Sequence, residues 1–313
     1  MQTITLGRTN LQVSAAGLGC GGFSRLGLPK YGQKHAAGIV QTAFEEGVTF
    51  FDTAQGYQTQ PAVGEGLAGI PRDQYVISSK FSYTDQSGRV ISPEVLNQTL
   101  ENALRELKTD YIDIYHIHAL TAENYDETCE KLMPVLQKAK QDGKIRFLGV
   151  TELFASDTSH SMFKVALPFD LFDVIMVGYN LLNPSATVSV LPVTMDKNAG
   201  TLCMFAVRSA LSNPEQLRID VKKILENKQA DPKAVSIDNA LDFLMENNIA
   251  SSITEAAYRF CRHTPGIDVV LTGTGDASHL KENIKSIQMP PLPDDILERL
   301  SRMFSKVDCV SGQ

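Results

Sequence analysis

The sequence predicts an α/β protein of the (β/α)8 TIM-barrel class, with an N-terminal β-hairpin and extra helices after the seventh strand. Eight short apolar runs of β-forming residues alternate with amphipathic helical patterns along the chain. Several of these runs carry a titratable residue at or just beyond their C-terminal end, where a parallel barrel places its active face. A chain of 313 residues suits one such barrel. We therefore expect residues 1–313 to form a single domain.

The first elements precede the barrel proper. Residues 3–5 and 11–14 flank the turn sequence LGRTN and predict a small hairpin that covers one barrel end. The first barrel strand is predicted at 16–19, followed by the irregular loop CGGFSRLGLPKYG and an amphipathic helix at 35–46.

The remaining elements follow in regular alternation. The predicted strands two to eight are 49–52, 75–80, 111–116, 145–150, 174–177, 201–205 and 269–272. The predicted helices are 63–67, 93–107, 126–141, 253–261, one beginning near 278, and a closing helix at 294–304. Helical patterns at 214–226 and 237–245 are the extra helices after the seventh strand.

Composition excludes several classes of function. The formal net charge is −7 and no Lys/Arg cluster occurs, so we expect no nucleic-acid partner. The five cysteines include no CxxC pair, which favours reduced thiols over disulfides or zinc. Neither an N-terminal leader pattern nor an apolar run of membrane-spanning length occurs. We expect a cytoplasmic protein that does not enter the membrane, while the oligomeric state is not indicated.

The segment GLGCGGF matches the pattern GxGxxG at Gly17, Gly19 and Gly22. A dinucleotide-binding fingerprint requires a helix to begin at the last glycine. Further glycines and a proline follow instead, so we reject a Rossmann fold. These glycines are interpreted as turn residues or as points where the backbone approaches a ligand closely.

Four residue types that suit carbonyl chemistry occur at the predicted active face, namely Asp52, Tyr57, Lys80 and His118. Reduction of a carbonyl by hydride leaves an alkoxide, which must receive a proton. A tyrosine can provide it when a nearby ammonium favours its ionised form and lowers its pKa. Lys80 would supply that ammonium, Asp52 would neutralise Lys80, and His118 would orient the carbonyl oxygen.

The segments FFDTAQGY, VISSK, YIDIYHIH and the late GTGDASHLKEN resemble the aldo-keto reductase family over nearly the whole chain. The HxH at the fourth strand is similar to the sugar-dehydrogenase branch of that family. The resemblance implies an oxidoreductase that transfers hydride between NADP or NAD and a small-molecule carbonyl or sugar substrate. It assigns catalytic roles to the same four residues, with Tyr57 as general acid and base.

His116 lies two residues before His118 and so faces the same side of its strand. It is interpreted either as a core histidine or as a substrate or proton-relay residue. The HxH pair also permits a metal site, but His160, His263 and His279 fall in helical regions instead of at other strand ends. We therefore expect no metal.

The loop after the eighth strand predicts the cofactor site, because Gly273 and Gly275 precede a helix N-terminus that can bind a phosphate. The resemblance implies that Glu282 and Asn283 contact the adenine and that Phe205 stacks on the nicotinamide. Arg208 is the strong cation beside the seventh strand, and it is interpreted either as a ligand of the pyrophosphate or as a surface arginine. Further contacts are expected from Thr151, after the fifth strand, and from His279.

Some positions depart from the family pattern. Thr151-Glu152 and Met176 replace the polar residues that commonly hold the carboxamide. His279, with Asp276 nearby, replaces the basic clamp for a 2′-phosphate, so we expect NAD to be accepted at least comparably to NADP. Two alternative functions stay open. One is a non-catalytic, cofactor-binding regulatory subunit, and the other is a lyase that forms a Schiff base through Lys80.

Overall fold

The computed structural model describes residues 1–313 and places eight parallel strands in a closed barrel surrounded by helices. A two-stranded antiparallel hairpin, β1 (Thr3–Leu6) and β2 (Leu11–Ser14), precedes the barrel. The barrel strands are β3 (Ala16–Gly19), β4 (Phe50–Asp52), β5 (Val76–Ser82), β6 (Ile112–Leu120), β7 (Ile145–Glu152), β8 (Val174–Gly178), β9 (Gly200–Met204) and β10 (Val269–Thr272). Each strand pairs with its chain neighbours, and β10 closes the barrel against β3. The predicted fold class is confirmed.

Helices connect the strands and form the outer layer. They are α1 (Leu28–Tyr31), α2 (Gln33–Glu45), α3 (Gln60–Gly66), α4 (Pro93–Leu107), α5 (Tyr125–Gln141), α6 (Ser161–Ala166), α7 (Ala186–Ser189), α8 (Leu191–Asp196), α9 (Pro214–Glu226), α10 (Ile253–Arg262), α11 (Ala277–Gln288) and α12 (Asp294–Phe304). Ser92 and Ser252 cap α4 and α10 by accepting backbone N–H groups, as their positions before each helix predict.

Several predicted boundaries are shifted by two or three residues in the structure, and two differ more. Strand β6 continues to Leu120 instead of ending at 116, so His118 lies within the strand and not beyond it. The predicted helix at 237–245 is a 3-10 helix at Asp242–Asn248, interrupted by non-helical backbone at Glu246 and Asn247. Its apolar residues still face inward, since Phe243 and Leu244 are buried. A periodic apolar pattern is thus a better guide to the buried side of a segment than to the type of helix that the segment forms.

The hairpin plugs one end of the barrel. Leu6, Leu11 and Val13 pack against inward-facing apolar residues of the barrel strands, including Phe50 and Val76. Because side chains alternate in and out along each strand, the residues two positions further on also face inward. On β4 and β5 those residues are polar, so the interior changes from apolar to polar towards the strand C-termini.

Two larger clusters of buried residues complete the packing. One lies between the barrel strands and the surrounding helices, and the other joins α9, α10, α12 and the residues after the last helix. Val207 and Phe260 pack against both clusters, so these clusters are continuous. No helix has both the length and the apolar composition needed to cross a membrane.

Candidate active site

A buried ion pair lies at the C-terminal end of the barrel. The Lys80 ammonium, on β5, donates to both carboxylate oxygens of Asp52, on β4, at 2.7 and 2.6 Å. It also donates to the Thr53 carbonyl at 2.8 Å. Both side chains are almost completely buried, at 0% and 4% exposure. The ammonium is therefore held in one position by three acceptors.

Tyr57 reaches this pair from a short 3-10 helix, Gln55–Tyr57, that follows β4. The Lys80 ammonium lies 4.9 Å from the centre of the Tyr57 ring. The ring passes so close to Gly21 that a Cβ atom there would lie 2.5 Å from a ring carbon. A side chain larger than hydrogen at position 21 would displace the tyrosine.

His118 completes the group from β6. Its Nε2 atom lies 3.3 Å from the Tyr57 hydroxyl, and the two rings meet edge to face. The pKa of His118 is lowered to about 3, first by burial and then by the Lys80 charge. The imidazole is therefore neutral near pH 7 and can exchange a hydrogen bond with the hydroxyl. The structure thus brings Asp52, Tyr57, Lys80 and His118 together, as predicted.

The pKa of Tyr57 differs from the sequence-based expectation. Lys80 lowers it as expected, but burial raises it more, and the Asp52 carboxylate adds to the rise, so the pKa lies above its ordinary value. The pKa of Lys80 is also raised. Burial by itself would lower this pKa, but the nearby Asp52 and Tyr57 raise it by more. At neutral pH Lys80 is a cation and Tyr57 carries its proton.

A cavity of about 510 Å³ opens above these residues. Its lining includes Tyr57, His118 and the end of β7, Thr151 and Glu152. The Thr151 hydroxyl oxygen accepts the Ala119 N–H at 2.7 Å, which leaves its hydrogen free to be donated. Thr151 therefore keeps a hydrogen-bond donor beside the cavity.

Glu152 is paired with a buried histidine that the sequence reasoning assigned only to a helical region. His160 Nδ1 lies 3.0 and 2.9 Å from the two Glu152 oxygens, and the Gly178 N–H donates to Glu152 at 2.8 Å. His160 Nε2 lies 3.0 Å from the Ser185 hydroxyl. Burial raises the pKa of Glu152, whereas His160 opposes the rise. Both Glu152 oxygens thus have partners, and the carboxylate is fully buried and held in one position.

Phe205 and Arg208 follow β9 and also line the first cavity. Phe205 has a positive φ of 67°, a strained backbone conformation for an aromatic residue. The Arg208 guanidinium lies 4.0 Å from the centre of the Phe205 ring and has no acidic partner. Burial lowers the pKa of Arg208, which stays a cation. A partly buried guanidinium without a counter-ion is suited to an anionic ligand.

A second cavity of about 830 Å³ adjoins the first and shares the lining residues Val207, Ser212, Tyr258 and Gly273 with it. Three further residues predicted for the cofactor line it: His279, Glu282 and Asn283. Lys285 also lines it and was not predicted. The two cavities together form an extended cleft from the catalytic residues to the start of α11.

Gly275 was predicted to contact the cofactor, but it lines neither cavity. A Cβ atom at Gly275 would lie 2.5 Å from the Gly27 nitrogen, and its carbonyl faces His35 Nε2 at 2.8 Å. This glycine is required for packing against the loop after β3. Gly273 does line the cleft, and it approaches the Gly19 carbonyl so closely that a Cβ would lie 2.2 Å away.

The first turn of α11 is already capped. Asp276 accepts the backbone N–H groups of Ser278 and His279 at 2.8 and 3.0 Å, and Lys281 pairs with Glu46 at 2.9 Å. The carboxylate thus occupies N–H groups that a phosphate could otherwise use. Lys281 is therefore held by Glu46, the residue that follows α2, and does not line the cleft.

The HxH pair does not form part of a metal site. His116 Nε2 faces Ser78 at 3.0 Å and His118 faces Tyr57, so the two imidazoles have different partners. No group of three His, Cys, Asp or Glu residues is arranged to hold a metal ion. Sequence reasoning missed Ser78, although its position two residues before Lys80 already places it on the inner side of β5.

Comparisons with known proteins agree with this geometry. The family model described as the Aldo/keto reductase family matches residues 17–303. An L-galactose dehydrogenase from Arabidopsis thaliana is 27% identical and covers 90% of this chain and 86% of the relative. An NADH-specific methylglyoxal reductase from Escherichia coli is 27% identical over 63% of this chain and 64% of the relative.

The fold is also similar to solved structures. The holo form of an aldo-keto reductase from Bacillus halodurans has a TM-score of 0.72 at 20% identity, covering 99% of this chain and 98% of the other.

Proposed function

Because the chain belongs to the aldo/keto reductase family, we propose that it is a nicotinamide-dependent oxidoreductase of small carbonyl or sugar substrates, with Tyr57 as its general acid and base. The family uses NAD or NADP. One observation carries the assignment of Tyr57: its hydroxyl faces the neutral His118, and its ring lies beside the Lys80 ammonium, at a cavity.

The residues of the cleft fit such a cofactor. Arg208 is a cation without a partner and suits the pyrophosphate, and Phe205 beside it offers an aromatic face to the nicotinamide. The Thr151 hydroxyl hydrogen is free to donate to a carboxamide, whereas both Glu152 oxygens already contact His160. Gly273, His279, Glu282 and Asn283 would receive the adenosine half in the second cavity. The bound cofactor supplies or takes up the hydride.

The protein's own residues handle the proton. During reduction, negative charge develops on the carbonyl oxygen, and Tyr57 donates its proton to it. Lys80 stabilises the tyrosinate that remains, while Asp52 keeps the ammonium in place. His118 is neutral and so can position the oxygen by a hydrogen bond. In the direction of alcohol oxidation, the tyrosinate takes the proton back.

A Schiff-base lyase is less well supported. An amine attacks a carbonyl only when it is neutral and has a free lone pair. The Lys80 nitrogen is buried, its pKa is raised, and it donates to three acceptors. Borohydride treatment with substrate should therefore leave Lys80 unmodified. A regulatory, non-catalytic role predicts cofactor binding without turnover and is tested by the same assay as the proposed activity.

The names of the relatives guide the choice of substrates. One is an L-galactose dehydrogenase and one a methylglyoxal reductase, so the test panel should contain aldoses, small dicarbonyls and simple aldehydes. Turnover is measured by the absorbance of the reduced nicotinamide with each cofactor, in both directions. Cofactor binding with no turnover on any substrate would contradict the proposed enzyme and favour the regulatory role. The five free thiols support a reducing compartment such as the cytoplasm as its location.

A further inference from the structure

A chain of buried polar residues extends from the catalytic ion pair into the barrel interior. The Ser78 hydroxyl, on β5, donates to Asp52 Oδ1 at 2.8 Å. The Ser78 oxygen in turn lies 3.0 Å from His116 Nε2, on β6. Ser78 and His116 are completely buried, and neither lines the cavity. The chemistry proposed above does not use them directly.

The positions of the hydrogens follow from counting donors. Ser78 has one hydroxyl hydrogen, and the Asp52 carboxylate, which can only accept, takes it. The Ser78 oxygen must then accept from His116, so Nε2 of His116 carries a hydrogen. His116 Nδ1 makes no hydrogen bond of good geometry, although the Val150 backbone interacts with the ring. Burial and the charges of Lys80 and His118 lower the pKa of His116 well below its ordinary value, and the Val150 backbone opposes this only in part, so the ring is neutral and, with the hydrogen on Nε2, Nδ1 carries none.

The orientation of the His116 ring is fixed by packing. A Cβ atom at Gly149, on β7, would lie 2.2 Å from His116 Nδ1, so the ring lies directly against this glycine. It cannot turn to find a partner for Nδ1 without losing its bond to Ser78. Leaving a buried nitrogen unpaired costs free energy, and an apolar residue would avoid that cost. Val76 and Ile114, two positions earlier on the same strands, are apolar.

We propose that Ser78 and His116 are positioning residues for the proton transfer at Tyr57. His116 orients the Ser78 hydroxyl, Ser78 holds the Asp52 carboxylate, and Asp52 holds the Lys80 ammonium beside Tyr57. The inference rests on the proposed function, since it assumes that Tyr57 exchanges a proton with a substrate. Because neither residue touches the cleft, their loss should slow the chemical step without weakening the binding of substrate or cofactor.

The first test compares two neighbouring serines. Ser78→Ala removes the hydrogen bond to Asp52, whereas Ser79→Ala removes an equally buried hydroxyl that faces away from the site and accepts from Gln60. We expect Ser78→Ala to lower the single-turnover rate of cofactor oxidation roughly tenfold, the scale of one hydrogen bond to a charged group. The dissociation constants of NAD and NADP should stay unchanged in both variants. Ser79→Ala should retain the unsubstituted rate. Equal rates in the two variants would overturn the proposal.

The second test concerns His116, and it can decide the question even when Ser78→Ala does not fold. His116→Gln keeps an N–H donor for Ser78, whereas His116→Leu fills a similar volume without one. We expect His116→Gln to retain more of the single-turnover rate than His116→Leu, at equal thermal stability. Equal single-turnover rates in the two variants would contradict a positioning role and would show that His116 contributes only to packing.

A third measurement does not depend on activity. Nitrogen-15 NMR of the unsubstituted protein should show His116 as the neutral form with its hydrogen on Nε2, and Ser78→Ala should shift that signal. A hydrogen on Nδ1 would overturn the proposal even in an active enzyme. If no substrate turns over but the NMR result is as expected, the proposed function fails while the hydrogen-bond chain stands.

Discussion

Tyr57 is the residue on which the proposed chemistry depends most directly. Replacing it by Phe removes the proton donor and leaves the ring that packs against Gly21. We expect Tyr57→Phe to fold and to bind cofactor, and to lower kcat by about two to four orders of magnitude, the contribution of a positioned general acid with its electrostatic effect. Steady-state kinetics measures kcat, and cofactor titration measures the binding of the cofactor.

The matched control is Tyr31→Phe, which makes the same chemical change at an exposed tyrosine of α1. Its kcat should equal that of the unsubstituted protein. If Tyr57→Phe turned over at a similar rate, another group would have to supply the proton.

Lys80 and Asp52 are expected to act as one unit. Removing either partner leaves an unpaired group in a buried site and frees the other from its position. In a cycle of Lys80→Met and Asp52→Asn, each single change should therefore lower kcat nearly as much as the double change does. Additive losses in kcat would contradict the coupling.

A second buried carboxylate provides the control for this cycle. Asp113, on β6, is 1% exposed and pairs at 2.7 Å with Arg72, which lies in a 3-10 helix before β5, and neither residue lines the cavity. Asp113→Asn should lower the unfolding temperature without a change in kcat. This comparison separates a loss of stability from a loss of catalytic geometry.

The start of α11 determines how a cofactor phosphate is received. Asp276 caps the helix and Lys281 is engaged by Glu46, so no free cation is held at the first turn of this helix. We therefore predict that NAD binds at least comparably to NADP. Asp276→Arg should shift preference towards NADP by roughly 1 to 3 kcal/mol, the scale of a charge-assisted hydrogen bond.

Because Asp276→Arg also removes a helix cap, Asp276→Asn is the control, since Asn caps helices about as well as Asp does. Calorimetric titration with both oxidised cofactors measures the preference. A hundredfold tighter binding of NADP to the unsubstituted protein would contradict the prediction and direct attention to Lys285, the lysine that lines the second cavity.

The strands show which structural features a local sequence pattern predicts and which it does not. The period of two placed Asp52, Lys80 and His118 on the inner face, and the structure agrees. The end of β6 was misplaced because Ile117 to Leu120 contain neither Gly nor Pro, so the sequence does not mark where the strand ends. Pairing with β7, whose Glu152 lies opposite Leu120, extends the strand.

For the molecule as a whole, the buried histidines predict how stability depends on pH. The pKa of His118 falls from 6.5 to about 3 on folding, so between these values the unfolded chain binds a proton that the folded protein does not. The free energy of unfolding should therefore decrease as the pH falls through this window. At pH 5 the loss from His118 is about 2 kcal/mol.

Urea unfolding at pH 7 and pH 5 checks this prediction. His118→Asn should reduce the difference in unfolding free energy between the two pH values by about 2 kcal/mol. His263→Asn changes an exposed histidine and serves as the control. An unchanged pH dependence in His118→Asn would show that His118 is as accessible to protons in the folded state as in the unfolded chain.

Thermal unfolding followed by calorimetry tests the prediction of a single domain. The two large apolar clusters share Val207 and Phe260, so neither should melt alone. We expect one calorimetric transition whose van't Hoff and calorimetric enthalpies agree. Two separated transitions would show that α9, α10 and α12 form an independent unit.

The amino-acid sequence was sufficient to predict the barrel, its hairpin and the four residues of the candidate catalytic group. These follow from the period of two in the strands, the caps and breaks between elements, and the rule that parallel strands present their C-terminal ends on one face. Such features depend on residues close together in the chain. The chemistry of carbonyl reduction suggested roles for these residues, and the resemblance to a family implied the same roles.

Other features became visible only once the strands and helices were packed together. The Ser78–His116 chain, the Glu152–His160 pair and the capture of Lys281 by Glu46 each join residues of different elements. They depend on strand register, on the stagger of the closed barrel and on which rotamers fit, and none of these leaves a local pattern in the sequence. The direction of the Tyr57 pKa was mispredicted for the same reason, because burial is a property of the folded barrel and outweighs the single charge that the sequence makes visible.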